Sequence, residues 1–159
     1  MPRRELRHGR QVAEWLDSLG LSLQEPGTMI LIGSAALLWH AFDRGIQTEL
    51  PEASMDVDPI TDSEEIARAC YDCLVGSEFE REHGWHVNLM PDLVLREFGA
   101  DWRTRAVSRV IGRLTLVVPA PADLLIPKLR RGEPRDRKHY EWARAIGLVE
   151  ADIPLEGGP

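Results

Sequence analysis

Two short groups of residues in this chain have the types and spacing that suit phosphate chemistry. Gly33 and Ser34 follow an apolar run, residues 29–32, and open a helical pattern. A small-residue turn between a buried strand and a helix lets backbone amides approach a phosphate closely. Asp56 and Asp58 are two apart in a later strand pattern, so their carboxylates project to the same side. Together the two groups predict a site for a metal-bound nucleoside triphosphate.

The carboxylates of Asp56 and Asp58 also indicate which metal the site would hold. Mg²⁺ prefers hard oxygen ligands and usually keeps waters and substrate phosphates in its remaining positions, so two carboxylates are enough protein ligands. Without a cation the two negative charges would repel each other. The pair therefore predicts Mg²⁺ as the cofactor.

Alternating helical and strand patterns surround these residues. Strand patterns cover residues 28–32, 54–60, 85–90 and 114–118, and helical patterns cover 5–19, 34–42, 62–75 and two segments between 122 and 146. Gly20 is expected to end the first helix, and residues 92–110 are expected to be helical or irregular. The predicted class is α/β (α+β), a small mixed β-sheet flanked by helices.

Length and composition indicate one globular domain. The 159 residues are 43% hydrophobic and 28% charged, which excludes a disordered or fibrous chain. We expect residues 1–150 to form a single domain, with C-terminal helices from about residue 121, and residues 151–159 to form a flexible tail. No stretch approaches about 18 apolar residues, and no apolar core of signal-peptide length follows the basic residues 1–4. The sequence thus predicts a soluble, cytoplasmic protein without a membrane partner.

Charge is distributed unevenly along the chain, whose net charge is -7. Residues 49–82 are strongly acidic, whereas residues 96–138 are rich in arginine and lysine. The overall charge argues against a generally basic nucleic-acid binder. The two segments either meet in one cleft for a magnesium triphosphate and a polyanionic acceptor, or form two solvated faces.

Cys70 and Cys73, the two cysteines, are three apart in a helical pattern. A zinc site would need further ligands, and none follow at a suitable spacing. We therefore expect two packed thiols and not a redox or zinc site.

Several segments together suggest a family. They are residues 31–37, His40, Arg44, Thr48, residues 55–58, residues 121–129 and residues 135–138. This pattern, over about residues 28–147, resembles the nucleotidyltransferase fold of the DNA polymerase beta type. It is particularly similar to small bacterial nucleotidyltransferase-like proteins related to abortive-infection and toxin–antitoxin enzymes.

The resemblance implies a role for each motif. In such enzymes the glycine–serine turn cradles the triphosphate, the carboxylate pair holds metal ions, and a third carboxylate helps to deprotonate the acceptor hydroxyl. By order along the chain, the third position is Asn88, whose amide can be a neutral ligand but not a base. Either His86, two residues earlier, or Asp92, beyond Pro91, could supply the missing function.

The resemblance also assigns Arg44 and Lys128 to the triphosphate, and each assignment has an alternative. Arg44 and Thr48 either reach a phosphate or lie in a solvated loop. Lys128 either neutralises triphosphate charge or extends from a helix that faces the sheet. Ser34 either contacts phosphate or only caps its helix. For Asp136 we expect a structural role, pairing with a nearby arginine.

The function that the resemblance implies is nucleotidyl transfer. A protein or RNA hydroxyl would attack the alpha phosphorus of a Mg²⁺-bound nucleoside triphosphate, and pyrophosphate would leave. The implied setting is a bacterial toxin or a toxin's protein partner. Asn88 favours an alternative, a catalytically degenerate domain that binds nucleotide or a protein partner. A third possibility is a purely structural protein in which the aspartate pair is incidental.

Overall fold

The computed structural model describes residues 5–54 and 56–150 of the chain. Five strands in these ranges form one mixed sheet: β1 (Gly27–Ile32), β2 (Asp56–Thr61), β3 (His86–Val87), β4 (Val107–Ile111) and β5 (Leu114–Val118). Their order across the sheet is β3-β2-β1-β5-β4. The β1–β2 and β4–β5 pairs are antiparallel, whereas β1–β5 and β2–β3 are parallel. The predicted fold class is confirmed, while the predicted tail, residues 151–159, lies outside the described residues.

Seven α-helices and one 3₁₀-helix accompany the sheet within the described ranges. They are α1 (Gly9–Ser22), α2 (Gly33–Asp43), α3 (Glu64–Tyr71), α4 (Glu78–His83), the 3₁₀-helix (Asp92–Glu97), α5 (Trp102–Arg105), α6 (Pro121–Arg131) and α7 (Pro134–Ala145). None of these helices is long and apolar enough to cross a membrane. Helix α2 contacts β1, β2, α1 and α6, and α6 in turn contacts α7. Helix α2 is therefore the central helix of the fold.

The change from β1 to α2 occurs without a connecting loop. The last four residues of β1 are buried, as expected for an apolar strand in the centre of a sheet. Gly33 then turns the chain into α2 with a φ of 77°, a left-handed conformation that favours glycine. The first residues of α2 consequently lie directly at the end of the central strand.

The predicted strand over residues 114–118 is confirmed as β5. Leu114, Leu116 and Val118 are buried, whereas the two residues between them are half-buried, so the strand alternates with period two. Pro121 occupies the first turn of α6, where its missing N–H costs nothing. This strand–helix unit delivers α6 to the end of the sheet where α2 begins.

The structure corrects the prediction that Gly20 ends the first helix. Gly20 lies inside α1, which continues to Ser22. A Cβ at position 20 would collide with the carbonyl group of Ile111, and Arg113 N–H donates to the Gly20 carbonyl at 3.2 Å. The glycine therefore allows the β4–β5 turn to approach the helix, and it does not terminate it.

Three further elements differ from the sequence prediction. Strand β4 lies in the region expected to be helical or irregular. The prediction missed it because its middle three residues are exposed at a sheet edge, so the sequence shows no alternation of apolar and polar residues there. Strand β3 has only two residues, although the Asn88 and Met90 amides still donate to β2 carbonyls at 2.8 and 2.9 Å. Helix α4 was not predicted, because it has no buried residue and its sequence therefore shows no apolar stripe.

The two cysteines are packed thiols, as predicted. Cys70 is buried and Cys73 is half-buried, and both are free. Burial raises the pKa of Cys70 to about 12, so the thiol is not a ready nucleophile.

Candidate functional site

A cavity of about 270 Å³ opens where β1 passes into α2. It contains six of the residues predicted from the sequence: Gly33, Ser34, Asp56, Asp58, Asn88 and Lys128. Further polar side chains line it: Ser54, Glu97, Arg131 and Arg135. The acidic and the basic segments of the chain therefore meet at one cavity.

Strand pairing brings Asp58 to the glycine turn. In the antiparallel register Asp58 lies opposite Ile32, the residue immediately before Gly33. On the other side of β2, the Asn88 amide donates to the Val57 carbonyl at 2.8 Å, which extends the parallel pairing with β3. Nδ2 of Asn88 donates to Oδ1 of Asp58 at 3.5 Å. Asn88 therefore lies beside the carboxylate pair, at the strand position that the sequence order indicated.

Asp56 is held by the residue that precedes β2 in the described chain. The hydroxyl of Ser54 donates to Oδ1 of Asp56 at 3.3 Å and also contacts the Asp56 carbonyl at 3.2 Å. Ser54 itself is buried and bridges to Leu6 through its backbone. The Asp56 side chain is thus oriented into the cavity from a fixed backbone.

The two aspartates are electrostatically strained in the absence of a cation. Burial, together with the neighbouring Asp56 charge, raises the pKa of Asp58 to about 7. A divalent cation between the two carboxylates would remove this penalty, and their oxygens are the ligand type that Mg²⁺ prefers. Within residues 5–54 and 56–150 no three His, Cys, Asp or Glu side chains cluster as a metal site. The donor set for such an ion would be these two carboxylates, with the Asn88 amide next to them.

Ser34 does not cap helix α2. The N-cap residue is Ile32, whose side chain accepts no hydrogen bond from the first amides of the helix. The hydroxyl of Ser34 instead accepts a hydrogen bond from Nζ of Lys128 at 2.9 Å and lies 3.2 Å from Nδ1 of His139. The first turn of α2 thus presents uncapped amides and a hydroxyl to the cavity, an arrangement that suits a phosphate.

Lys128 is a buried cation at the wall of the cavity. Its side chain is only 7% exposed, and Nζ lies 3.2 Å from Nδ1 of His139 and 3.7 Å from Oδ1 of Asp136. Burial lowers the pKa of Lys128 to about 8, although the Asp136 charge opposes this shift. The ammonium is therefore mostly protonated near neutral pH, and an anion in the cavity would stabilise that form.

Asp136 has the structural role that the sequence analysis expected. Arg131 donates to both of its carboxylate oxygens, at 2.8 and 2.6 Å. This bidentate hydrogen bond from Arg131 lowers the pKa of Asp136. The pair joins α6 to α7 and holds the guanidinium at the cavity, where Arg135 from α7 adds a second one.

The structure places four other sequence candidates away from the cavity. Arg44 lies at the far end of α2 from Ser34, where it donates to the Leu148 carbonyl at 3.4 Å. The hydroxyl of Thr48 accepts a hydrogen bond from the Trp142 indole at 2.8 Å. Two more do not line the cavity: His86, whose Nδ1 lies 2.7 Å from Oε2 of Glu80, and Asp92, which is exposed.

Among the residues that the sequence analysis missed are His139, which lies outside the cavity lining but contacts Ser34 and Lys128, and Glu97, which lines the cavity. His139 is fully buried, and its separation of four from Arg135 puts both on one face of α7. That spacing was the available signal, although an isolated histidine on a helix is usually only packed. Glu97 ends the 3₁₀-helix and lines the cavity as an exposed carboxylate. No periodic pattern marks Glu97, because the short 3₁₀-helix that it ends has no buried residue.

Comparison with known proteins agrees with this geometry. A family model described as a nucleotidyltransferase of unknown function (DUF6036) matches residues 10–153. The chain belongs to this family. No curated protein and no solved structure matches it. Membership of this nucleotidyltransferase family confirms the resemblance seen in the sequence. The match includes every polar side chain that lines the cavity.

Proposed function

We propose that this member of the nucleotidyltransferase family transfers a nucleoside monophosphate from a Mg²⁺-bound nucleoside triphosphate to a hydroxyl of a protein or an RNA. The observation that carries the proposal is the meeting of opposite charges in one cavity. Asp56 and Asp58 lie on one side, and the Ser34 hydroxyl with the Lys128 ammonium lies on the other. A metal triphosphate is a ligand that carries both kinds of charge.

Different residues of the chain suit the metal and the phosphates. Asp56 and Asp58 would hold Mg²⁺, which when bound neutralises charge on the phosphoryl groups. The amides at the start of α2, the Ser34 hydroxyl and Lys128 would hold the phosphates. Arg131 and Arg135, which also line the cavity, would add positive charge along the triphosphate or the acceptor.

The proposed reaction is a single in-line displacement. The acceptor oxygen forms a bond to the alpha phosphorus while the bond from that phosphorus to the bridging oxygen breaks, and pyrophosphate leaves. The acceptor hydroxyl loses its proton in this reaction. Asn88 has no basic atom, so the proton must pass to another group. Among the described residues the cavity carboxylates are Asp56, Asp58 and Glu97, and we assign the proton to Glu97 because the two aspartates would hold Mg²⁺.

A second candidate function rests on Asn88. Its amide lies beside Asp58, at the place where the resemblance expects a third acid, and this favours a domain that binds nucleotide or a protein partner without catalysis. A toxin–antitoxin setting, which the resemblance implies, would suit either candidate. Where both bind nucleotide, the two candidates differ in whether the bound nucleotide reacts.

Calorimetric titration with each of the four nucleoside triphosphates, with and without Mg²⁺, tests binding. We expect binding that requires Mg²⁺ and is lost in Asp56→Ala. Metal-independent binding, or binding unchanged in Asp56→Ala, would contradict the proposed site. Absence of any binding would refute nucleotide transfer and nucleotide binding alike, and would leave only a domain that binds a protein partner or a structural protein in which the aspartate pair is incidental.

Label transfer then separates the enzyme from the binder. The protein is incubated with alpha-phosphate-labelled triphosphate and a bacterial lysate or its RNA, and the label is followed into macromolecules. The matched variant is Asn88→Asp, which restores an acid at the third position. Transfer by the wild type supports catalysis. If neither protein transfers label although both bind nucleotide, the binding function replaces the enzymatic one.

A further inference from the structure

His139 lies outside the cavity lining and contacts Ser34, Lys128 and the loop that leads to Asp56. It is fully buried on α7, and its ring contacts groups from three other segments of the chain. Nδ1 lies 3.2 Å from both the Ser34 hydroxyl of α2 and the Lys128 ammonium of α6. Nε2 lies 3.2 Å from the carbonyl of Glu52, which precedes β2 and its aspartates.

These contacts determine where the ring carries its proton. The Lys128 ammonium has only donors, so Nδ1 must be the acceptor in that contact. The Glu52 carbonyl has only lone pairs, so Nε2 must carry the proton and donate it. Burial and the nearby Lys128 charge lower the pKa of His139 to about 4, which keeps the ring neutral near pH 7. The ring is therefore held in one tautomer.

The tautomer decides where the Ser34 proton points. Nδ1 has one in-plane lone pair, and both Lys128 and Ser34 lie at the same distance from it. The ammonium is the stronger donor because it is charged. Lys128 also donates to the Ser34 oxygen at 2.9 Å, so the serine oxygen is an acceptor inside the protein. The hydroxyl proton of Ser34 is consequently available to an acceptor in the cavity.

Helix α7 also holds the loop that leads to the two aspartates. Lys138, the neighbour of His139, lies 2.7 Å from Oε1 of Glu52. The backbone and the side chain of Glu52 are thus both tied to α7. Two residues later, Ser54 orients the Asp56 carboxylate. A change at His139 therefore acts directly on the Ser34 side, while the ion pair between Lys138 and Glu52 still ties the loop before Asp56 to α7.

We propose that His139 is a positioning residue for the phosphate-binding pair of Ser34 and Lys128. Its unprotonated Nδ1 anchors the ammonium between the ring and the serine oxygen, and so directs the serine proton toward a phosphate oxygen. This inference rests on the proposed nucleotide binding. It adds to that function a residue that touches neither the metal ligands nor the ligand itself.

Two substitutions separate the roles of the two ring nitrogens. His139→Asn places an amide oxygen near the position of Nδ1, which keeps an acceptor for Lys128 and loses the bond to Glu52. His139→Gln can keep a donor near the position of Nε2 and loses the acceptor. We expect His139→Gln to weaken Mg²⁺–ATP binding by about tenfold or more, the usual cost of a lost charged hydrogen bond, and His139→Asn to stay within about threefold of wild type.

The pH dependence of binding supplies a readout that packing alone would not move. Binding by the wild type should decline as Lys128 loses its proton, near pH 8. Loss of the acceptor in His139→Gln should lower the pKa of Lys128, so the decline in binding should occur at lower pH. In His139→Asn the decline should occur at the same pH as in wild type. Equal weakening in both variants with an unchanged pH profile would show that His139 acts only through packing, and would overturn the inference.

A measurement without nucleotide keeps this inference separate from the proposed function. Nitrogen NMR of the histidine rings in the free wild-type protein should show His139 with an unprotonated Nδ1 and a protonated Nε2. The opposite tautomer would overturn the positioning role even if nucleotide binds. Failure of wild type to bind any nucleoside triphosphate, with the expected tautomer present, would refute the proposed function and leave the ring geometry standing.

Discussion

Gly33 and Asp58 approach each other so closely that no side chain fits between them. A Cβ at position 33 would lie 2.7 Å from Oδ2 of Asp58, and Gly33 has a φ of 77°. The close approach follows from the β1–β2 register, which puts Asp58 opposite the residue before the glycine. The turn proposed to hold the phosphates and the carboxylate proposed to hold the metal are therefore one packed unit.

We predict that Gly33→Ala damages binding as well as stability. The positive φ alone should cost about 1–3 kcal/mol of the free energy of unfolding. The added methyl group should also displace the Asp58 carboxylate, because the backbone of β1 is fixed by two neighbouring strands. The dissociation constant for Mg²⁺–ATP should rise at least about tenfold, measured by calorimetry at a temperature where the variant is folded.

Gly45→Ala is the matched control for this prediction. Gly45 has a φ of 74°, but nothing lies within 4 Å of a Cβ placed there. It should show a similar backbone penalty in urea unfolding and an unchanged dissociation constant. Loss of binding in both variants, or in neither, would contradict the role given to the Gly33–Asp58 contact.

Asp58→Asn should stabilise the fold against heat at alkaline pH. The pKa of Asp58 is about 7 in the folded protein and near 3.8 when unfolded, so folding disfavours its charged form. The contribution of Asp58 to the free energy of unfolding of the wild type therefore falls as the pH rises from about 4 to about 7, and stays low above that range. The variant does not titrate, and its Tm at about pH 8 should exceed that of wild type by roughly 5 °C.

The gap in Tm between wild type and Asp58→Asn should close under two conditions. It should nearly vanish at about pH 3, where the wild-type carboxyl is mostly protonated in both states. It should also narrow on addition of MgCl₂ at about pH 8, because an ion bound only to the native state stabilises it. Asp17→Asn, at an exposed position on α1, should show neither effect. A variant less stable than wild type at about pH 8 would refute the stated electrostatic cost.

The strand half of the site could be predicted because its residues are close in the sequence to the features that place them. Gly33 and Ser34 directly follow an apolar strand, and period-two alternation puts Asp56 and Asp58 on one side. Asn88 was identified from the order of the strands together with the third acid that the family resemblance expects. It lies next to Asp58 because β3 pairs with β2 in parallel.

The helical half was predictable only in part. Lys128 was found through the family resemblance, but its contact with Ser34 joins residues 94 apart in the chain. His139 and Glu52 are 87 apart, and their contact depends on how α7 packs against the loop before β2. Periodicity assigns a residue to a face of its own helix, and it does not identify the residue opposite. Arg44 shows the converse, since the resemblance assigned it to the triphosphate and yet it lies at the far end of α2 from Ser34.

Gly20→Ala should destabilise the protein, although alanine is the better helix former. In an exposed helix the change would gain about 1 kcal/mol. Here the new methyl group would meet the backbone of Ile111, which cannot rotate away as a side chain can. We expect a net loss of about 2 kcal/mol in the free energy of unfolding, measured with urea. Ser18→Ala on the exposed side of the same helix should stay within about 0.5 kcal/mol of wild type, and a stabilised Gly20→Ala would contradict the close approach of the β4–β5 turn.

Glu97→Gln should separate catalysis from binding if the protein transfers nucleotide as proposed. Glu97 lines the cavity from the end of the 3₁₀-helix and is exposed, so it can reach an acceptor that enters from solvent. Asn88 cannot accept a proton, and an amide at position 97 would remove the carboxylate assigned to that step. Label transfer should fall by about 100-fold, the usual contribution of a general base, while the calorimetric dissociation constant for Mg²⁺–ATP stays within about twofold.

The control for Glu97 comes from the same short helix. Asp92→Asn removes an exposed carboxylate at its first residue, which does not line the cavity, and should leave both transfer and binding unchanged. Transfer at the wild-type rate in Glu97→Gln would assign the proton to Asp56, Asp58 or water instead.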